Sequence, residues 1–118
     1  MSVGGSPAGV IPIQQSATDS LGWRGQKTPW FVVRNYNGPL LIRAARSDGS
    51  SSVRFAKGYG QHLRELRFAA GENNGIQGSW RFLASTTLFR ETGCYSFQID
   101  GTTFTNIVTM RVVERTPS

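Results

Sequence analysis

Cys94 and His62 are the only thiol and the only imidazole in this chain, so a cysteine nucleophile with a histidine base is the one catalytic pairing it offers. Such a pair needs the thiolate exposed in an electropositive setting, and the surroundings argue otherwise. In G-C-Y-S-F-Q-I-D, Tyr95, Phe97 and Ile99 alternate as one face of a strand and leave Cys94, Ser96 and Gln98 on the other. A buried or half-buried structural cysteine is the preferred reading, with His62 a solvated loop or strand-edge residue. One cysteine also excludes an intrachain disulfide and any cluster of thiolates around a metal. The seven carboxylates are dispersed, with no D-x-D-x-D run and no pair that must converge for glycoside hydrolysis. No phosphate loop, nucleophile elbow or H-E-x-x-H motif occurs. The expectation is therefore a protein that is not an enzyme and carries no metal or cofactor.

Aromatic rings and arginines remain as groups that could contact a ligand. Trp23, in L-G-W-R-G beside Arg24, and Tyr59, in K-G-Y-G near His62, lie in glycine-rich stretches where exposure and ligand contact are expected. Trp30 opens the apolar run W-F-V-V and Trp80 opens W-R-F-L, so both are assigned to the core or its margin. A net charge of +6, with 11 of 13 basic residues arginine, would draw anionic partners. The arginines are nevertheless scattered about one to a strand at Arg34, Arg43, Arg54, Arg67, Arg81, Arg90 and Arg111, and an ordinary solvated position is expected for each. Binding of a polyanion or single-stranded nucleic acid is the alternative this charge supports, with no basic run or RNA-binding motif beside it.

The elements that would position these groups are strands. Length (118 residues) fits one domain, and 14 glycines with abundant Val, Ile, Thr, Phe and Tyr favour strands and turns over helices. Residues 1–28 are polar and glycine-rich and read as a flexible leader, interrupted by Val10-Ile11-Pro12-Ile13, a candidate edge strand that could pair with its own sheet or with a neighbouring subunit. The domain proper is placed at 29–115. Strands are expected over 30–34, 40–46 and 52–56, separated by Asn37-Gly38-Pro39 and Asp48-Gly49. The stretch 63–69 is read as a strand because Leu66 and Phe68 alternate with Glu65 and Arg67, although 61–70 also carries a helical spacing. Gly71 to Gly75 is a loop. Residues 80–90 form a long strand whose phase changes at Ala84-Ser85, which predicts a bulge or a passage between sheets. Residues 94–99 and 104–113 close the domain around Asp100-Gly101.

Glu91-x-Gly93-x-Tyr95-x-Phe97 resembles the entry to the sixth strand of immunoglobulin-type sandwiches, with Phe97 where antibody domains carry a cysteine. That resemblance implies a tyrosine corner, in which the Tyr95 hydroxyl turns back to a nearby backbone group. The fold expected is all-β, a single immunoglobulin-like antiparallel sandwich of seven or eight strands. Residues 30–113, through W-F-V-V, G-P-L-L-I-R, the D-G turn followed by V-R-F, W-R-F-L-A-S-T-T and above all G-C-Y-S-F-Q-I-D-G-T-T-F, also resemble a group of uncharacterised bacterial surface or lipoprotein domains. The resemblance implies a secreted or envelope-associated module and supplies no catalytic residues. The chain departs from that group at its start, where M-S-V-G-G-S-P-A-G-V has neither a signal sequence nor a lipid-anchored cysteine, and no apolar run is long enough to span a membrane. The expected function is adhesion, assembly or recognition of a glycan or protein.

Overall fold

The computed structural model describes residues 22–49, 53–58 and 60–114 in full, and of the first 21 residues the backbone of 2–3 and 10–13. The fold is all-β. The described residues form twelve strands: β1 (Ser2–Val3), β2 (Val10–Ile13), β3 (Arg24–Lys27), β4 (Trp30–Val33), β5 (Leu40–Arg46), β6 (Val53–Ala56), β7 (Leu66–Phe68), β8 (Gly75–Gln77), β9 (Trp80–Leu83), β10 (Thr86–Phe89), β11 (Gly93–Asp100) and β12 (Thr105–Glu114). They assemble into a four-stranded sheet β1-β4-β9-β8, a three-stranded sheet β3-β10-β6 and a five-stranded sheet β2-β12-β11-β5-β7. Every pairing is antiparallel except β2 on β12. No helix among the described residues is long and apolar enough to cross a membrane.

All three sheets point apolar side chains at one core, which contains Trp30, Val32, Ile42, Phe55, Leu66, Leu83, Phe89, Tyr95, Phe97 and Ile99. Period-two alternation accounts for most of it: β11 buries Tyr95, Phe97 and Ile99 and turns Cys94, Ser96 and Gln98 outward. Edge-on aromatic contacts join Phe89 to Tyr95 (5.0 Å) and Phe55 to Phe97 (6.4 Å), so the three- and five-stranded sheets are locked by rings. The Tyr95 hydroxyl donates to the Glu91 carbonyl at 2.7 Å, pinning the turn that feeds β11. Gly93 is required in that turn for two reasons. Its φ is +140°, and a Cβ there would lie 2.7 Å from Arg46 Nε, which donates to the Thr92 carbonyl.

The long run 80–90 is two strands in two sheets, β9 and β10, with the passage at Ala84-Ser85. A buried network holds the passage: Trp30 Nε1 donates to Ser85 Oγ (2.8 Å), Ser85 Oγ donates to the Thr28 carbonyl (2.7 Å), and the Thr28 and Thr87 hydroxyls share a 2.8 Å bond. Leu66–Phe68 is a strand and not part of a helix, both apolar side chains facing the core.

Three expectations about the framework, its strand number, its starting residue and one arginine, need correction. Twelve short strands in three sheets replace seven or eight, partly because 80–90 divides and because Gly75–Gln77 adds an edge strand within what reads as loop. The folded body begins before residue 29, since β3 pairs with β10 and both Trp23 and Thr28 are buried. The polar R-G-Q-K sequence conceals this strand; Arg24 earns its place by an ion pair with Glu114 at 3.1 Å. Val10–Ile13 pairs in parallel with Arg111–Glu114 of its own chain. The remainder of the expected leader lies outside the described residues.

The third correction concerns Arg81, which is buried and not solvated. Its guanidinium donates to four backbone carbonyls, those of Tyr36 (3.3 Å), Gly38 (2.9 Å), Ala69 (3.1 Å) and Glu72 (2.8 Å). Burial lowers its pKa, and the Tyr36 and Glu72 side chains act in the opposite direction. A planar fork of five donors is suited to several carbonyls at once, and here it ties the turn after β4 to the loop before β8.

Candidate functional site

With Arg81 and Leu83 facing inward, β9 must turn Trp80 and Phe82 outward. Register places Trp80 beside Val33 and Phe82 beside Phe31, so two cross-strand apolar pairs line the outer face of the four-stranded sheet. Trp80 is 39% exposed and Val33 45%. The Phe31 and Phe82 rings lie 5.5 Å apart, tilted and half-buried. Trp80, assigned to the core or its margin from its apolar neighbours, stands on the outer face, because the inward slot of β9 is taken by Arg81.

Phe82 also forms one wall of a cavity of about 850 Å³ on the outer side of the three-stranded sheet. Thr86 and Leu88 of β10 face it, Pro29 and Ala84 extend its apolar lining, Lys27 and Lys57 supply its cations, and the His62 ring adds to its rim. No Asp or Glu is among the described residues that line it. The Lys57 ammonium is committed elsewhere, 2.6 Å from Glu72 Oε2 and 4.7 Å above the Phe68 ring. Lys27 is exposed and its ammonium makes no hydrogen bond or ion pair with the described residues. At the opposite end of the apolar strip, Arg34 is exposed beside Val33 and Ser79 in a shallow depression. The arrangement is an apolar strip with a cation at either end.

Trp23 does not join this surface. It is 4% exposed, beneath the guanidinium groups of Arg90 (4.2 Å from the ring centre) and Arg54 (5.3 Å), with the His62 ring at 6.2 Å. One glycine of the setting that suggested exposure has another role: a Cβ on Gly25 would press on the Thr86 and Leu88 side chains at 3.2 and 3.3 Å, so β3 lies tightly against β10 there. Around Trp23 the charge is positive. Burial lowers the Arg54 pKa first, and repulsion from Arg64 and Arg90 lowers it further. Arg24, expected beside an exposed Trp23, is largely covered and paired with Glu114. Tyr59 lies outside the described residues.

Cys94 is exposed on the outer face of β11 opposite Arg111, which corrects the expectation of burial; a strand residue adjacent to the inward Tyr95 has to face solvent. His62 instead lies against Trp23 at the cavity rim, so the structure shows no contact uniting the two as a pair. Among the described residues no three His, Cys, Asp or Glu side chains gather to hold a metal ion. Trp30, Tyr95 and Phe97 are core residues. Phe31, Val33, Phe82 and Lys27 were not singled out by sequence, and Arg34 was named only among the solvated strand arginines, which is how it stands, exposed. The usable signal was the alternation in W-R-F-L, which is ambiguous until the neighbour of Val32 is known to be Arg81.

The fold and this surface define an all-β domain with an outward aromatic strip opening into a basic cavity. No family model matches the chain, and neither a curated protein nor a solved structure does.

Proposed function

We propose that this chain is a non-catalytic recognition module that takes an acidic glycan along the strip from Arg34 through Trp80 and Phe82 to Lys27. The observation that carries the reading is the outward placement of Trp80, Val33, Phe31 and Phe82 next to a cavity whose described lining holds cations and no carboxylate. Aromatic faces can cover the C–H faces of sugar rings, and exposed apolar side chains in contiguous rows are a feature of contact sites. Lys27 and Arg34 then offer donors to carboxylate or sulfate groups. The reading includes a secreted or envelope setting and an immunoglobulin-like arrangement in which the Tyr95 to Glu91 bond serves as tyrosine corner; the sequence resemblances support both.

The test is a binding screen of sulfated, uronate-containing and neutral oligosaccharides, with a single-stranded oligonucleotide in parallel, at low and physiological salt. Acidic glycans should bind best, with affinity falling as salt rises and at least about tenfold weaker for Trp80→Thr or the Lys27→Ala, Arg34→Ala double variant, the loss of a stacked ring or a charge-assisted bond each being worth on the order of 1.4 kcal/mol. Binding that survives both variants, or that prefers neutral sugars, would refute the site. Preferential retention of the oligonucleotide would give the strip to nucleic acid instead.

A further inference from the structure

We infer that the chain self-associates by pairing the lower half of β12 with the same segment of a second copy, across a two-fold axis at Ile107. β12 is ten residues long, but β2 covers only Arg111–Glu114. The segment Thr105 to Met110 is hydrogen-bonded to β11 on one side and to none of the described residues on the other. An unpaired strand edge is a template for another strand, and proteins ordinarily blunt it.

The other edges among the described strands are blunted, β1 being only two residues long. β7 is three residues long and carries Arg67, paired with Glu65. β8 is equally short and starts at a glycine. β3 ends in Lys27 and begins at Arg24, which is bonded to Glu114. β6 is bridged by Leu63, and β2 contains Pro12. The stretch T-N-I-V-T-M has no proline, glycine or charge, and Ile107 at its centre is 68% exposed, more than any other large apolar side chain described. In a chain of net charge +6, this uncharged edge lets two copies meet without like charges face to face.

The occupant is a second copy because the outward residues are palindromic. Thr105, Ile107 and Thr109 share the outer face of the sheet, opposite Asp100, Gln98 and Ser96 of β11. A two-fold axis through Ile107, normal to the sheet, sets Ile107 opposite Ile107, and Thr105 opposite Thr109 twice. Isoleucine and threonine pairs of this kind favour strand pairing. The inward residues follow the same register, Asn106 facing Val108. The ends also fit: where Val10 begins to occupy the edge at Arg111, the partner's chain has reached its turn at 101–104 and departs toward its own β11. Five residues a side bury well under the roughly 800 Å² per partner of a standard interface, so the dimer should depend on concentration.

The test combines association with a cross-link in the full chain. Sedimentation should show the apparent mass doubling as concentration rises, and Ile107→Lys should abolish the doubling while leaving the thermal melt of the monomer in place. In a Cys94→Ser background, Ile107→Cys should form an intermolecular disulfide under mild oxidation, since directly opposed antiparallel residues lie about 4.5–5.5 Å apart at Cα, within disulfide range. Thr105→Cys in the same background should not, its two copies being four residues apart along the strand, about 13 Å. A chain monomeric at all concentrations whose Ile107→Cys variant fails to cross-link overturns the proposal, as does a dimer indifferent to Ile107→Lys. Cross-linking at 105 and not at 107 overturns the register.

Discussion

Strands β9 and β11 alternate in opposite senses. β11 sends rings inward, Tyr95 and Phe97, and keeps Cys94, Ser96 and Gln98 outside; β9 buries Arg81 and leaves Trp80 on the surface. In β11, burial of apolar area suffices to choose the face. In β9 the choice is made by hydrogen bonds, because the carbonyls of Tyr36, Gly38, Ala69 and Glu72 converge on one point and need a donor there. Loop closure thus outranks hydrophobic sorting at this strand. The consequence is an aromatic strip in water that a core-driven strand would have hidden.

The largest test of that contrast is removal of the guanidinium. Arg81→Met keeps much of the volume and sheds the charge, yet strands four carbonyls that the fork now satisfies. At roughly 1–3 kcal/mol for a fully buried acceptor left unsatisfied, and less for these part-buried carbonyls that water can reach, the expected loss is about 2–4 kcal/mol, readable as a shifted denaturation midpoint. Arg81→Lys should recover little, since an ammonium cannot serve four convergent acceptors in a fork. A methionine variant as stable as the parent would mean that apolar sorting alone sets the face of β9.

Acid should expose the same contrast more gently. Burial raises the Glu72 pKa, but hydrogen bonds from Lys57 and the Ala69 amide, with the charges of Lys57 and Arg81, outweigh it and hold the carboxyl below the usual range. A carboxyl depressed in the folded state contributes stability above its unfolded pKa and loses it as pH falls through the folded value. Glu72→Gln should therefore cost about 1 kcal/mol at neutral pH, discounted for partial exposure, and the deficit should close as the solution is acidified below about pH 4. Asp100 at the end of β11 is also depressed, chiefly by hydrogen bonds from Gln98 and Thr105, and continues to titrate in both proteins. A deficit constant with pH would detach Glu72 from the stability of this loop.

How far these features could be read in advance follows the same division. Wherever alternation decided the face, as in L-L-I-R, G-C-Y-S-F-Q-I-D and the phase change at Ala84-Ser85, the sequence showed strand, face and even the passage between sheets. It failed where a polar group had a tertiary reason to be inside or an aromatic one to be outside. Trp23 lay among glycines of which Gly25 sits closely against Thr86 and Leu88 of β10, and its cover comes from Arg54 and Arg90, distant in sequence. Trp80 had apolar neighbours and a buried arginine beside it that no local pattern announces. Lys27 and Arg34 matter through what they flank, which only the sheet register reveals.

The smallest expected effect separates the two strands most sharply. If the outward face of β9 exists to meet a ligand, its tryptophan can be lost without loss of fold. Trp80→Thr retains a residue suited to a strand, leaves the Arg81 bonds on the opposite face untouched, and should move stability by no more than about 0.5 kcal/mol. That small change, measured by equilibrium denaturation, should accompany the loss of glycan affinity. A destabilisation approaching that of Arg81→Met would instead make the ring a structural member of the sheet, and the apolar strip would then need a reason within the fold.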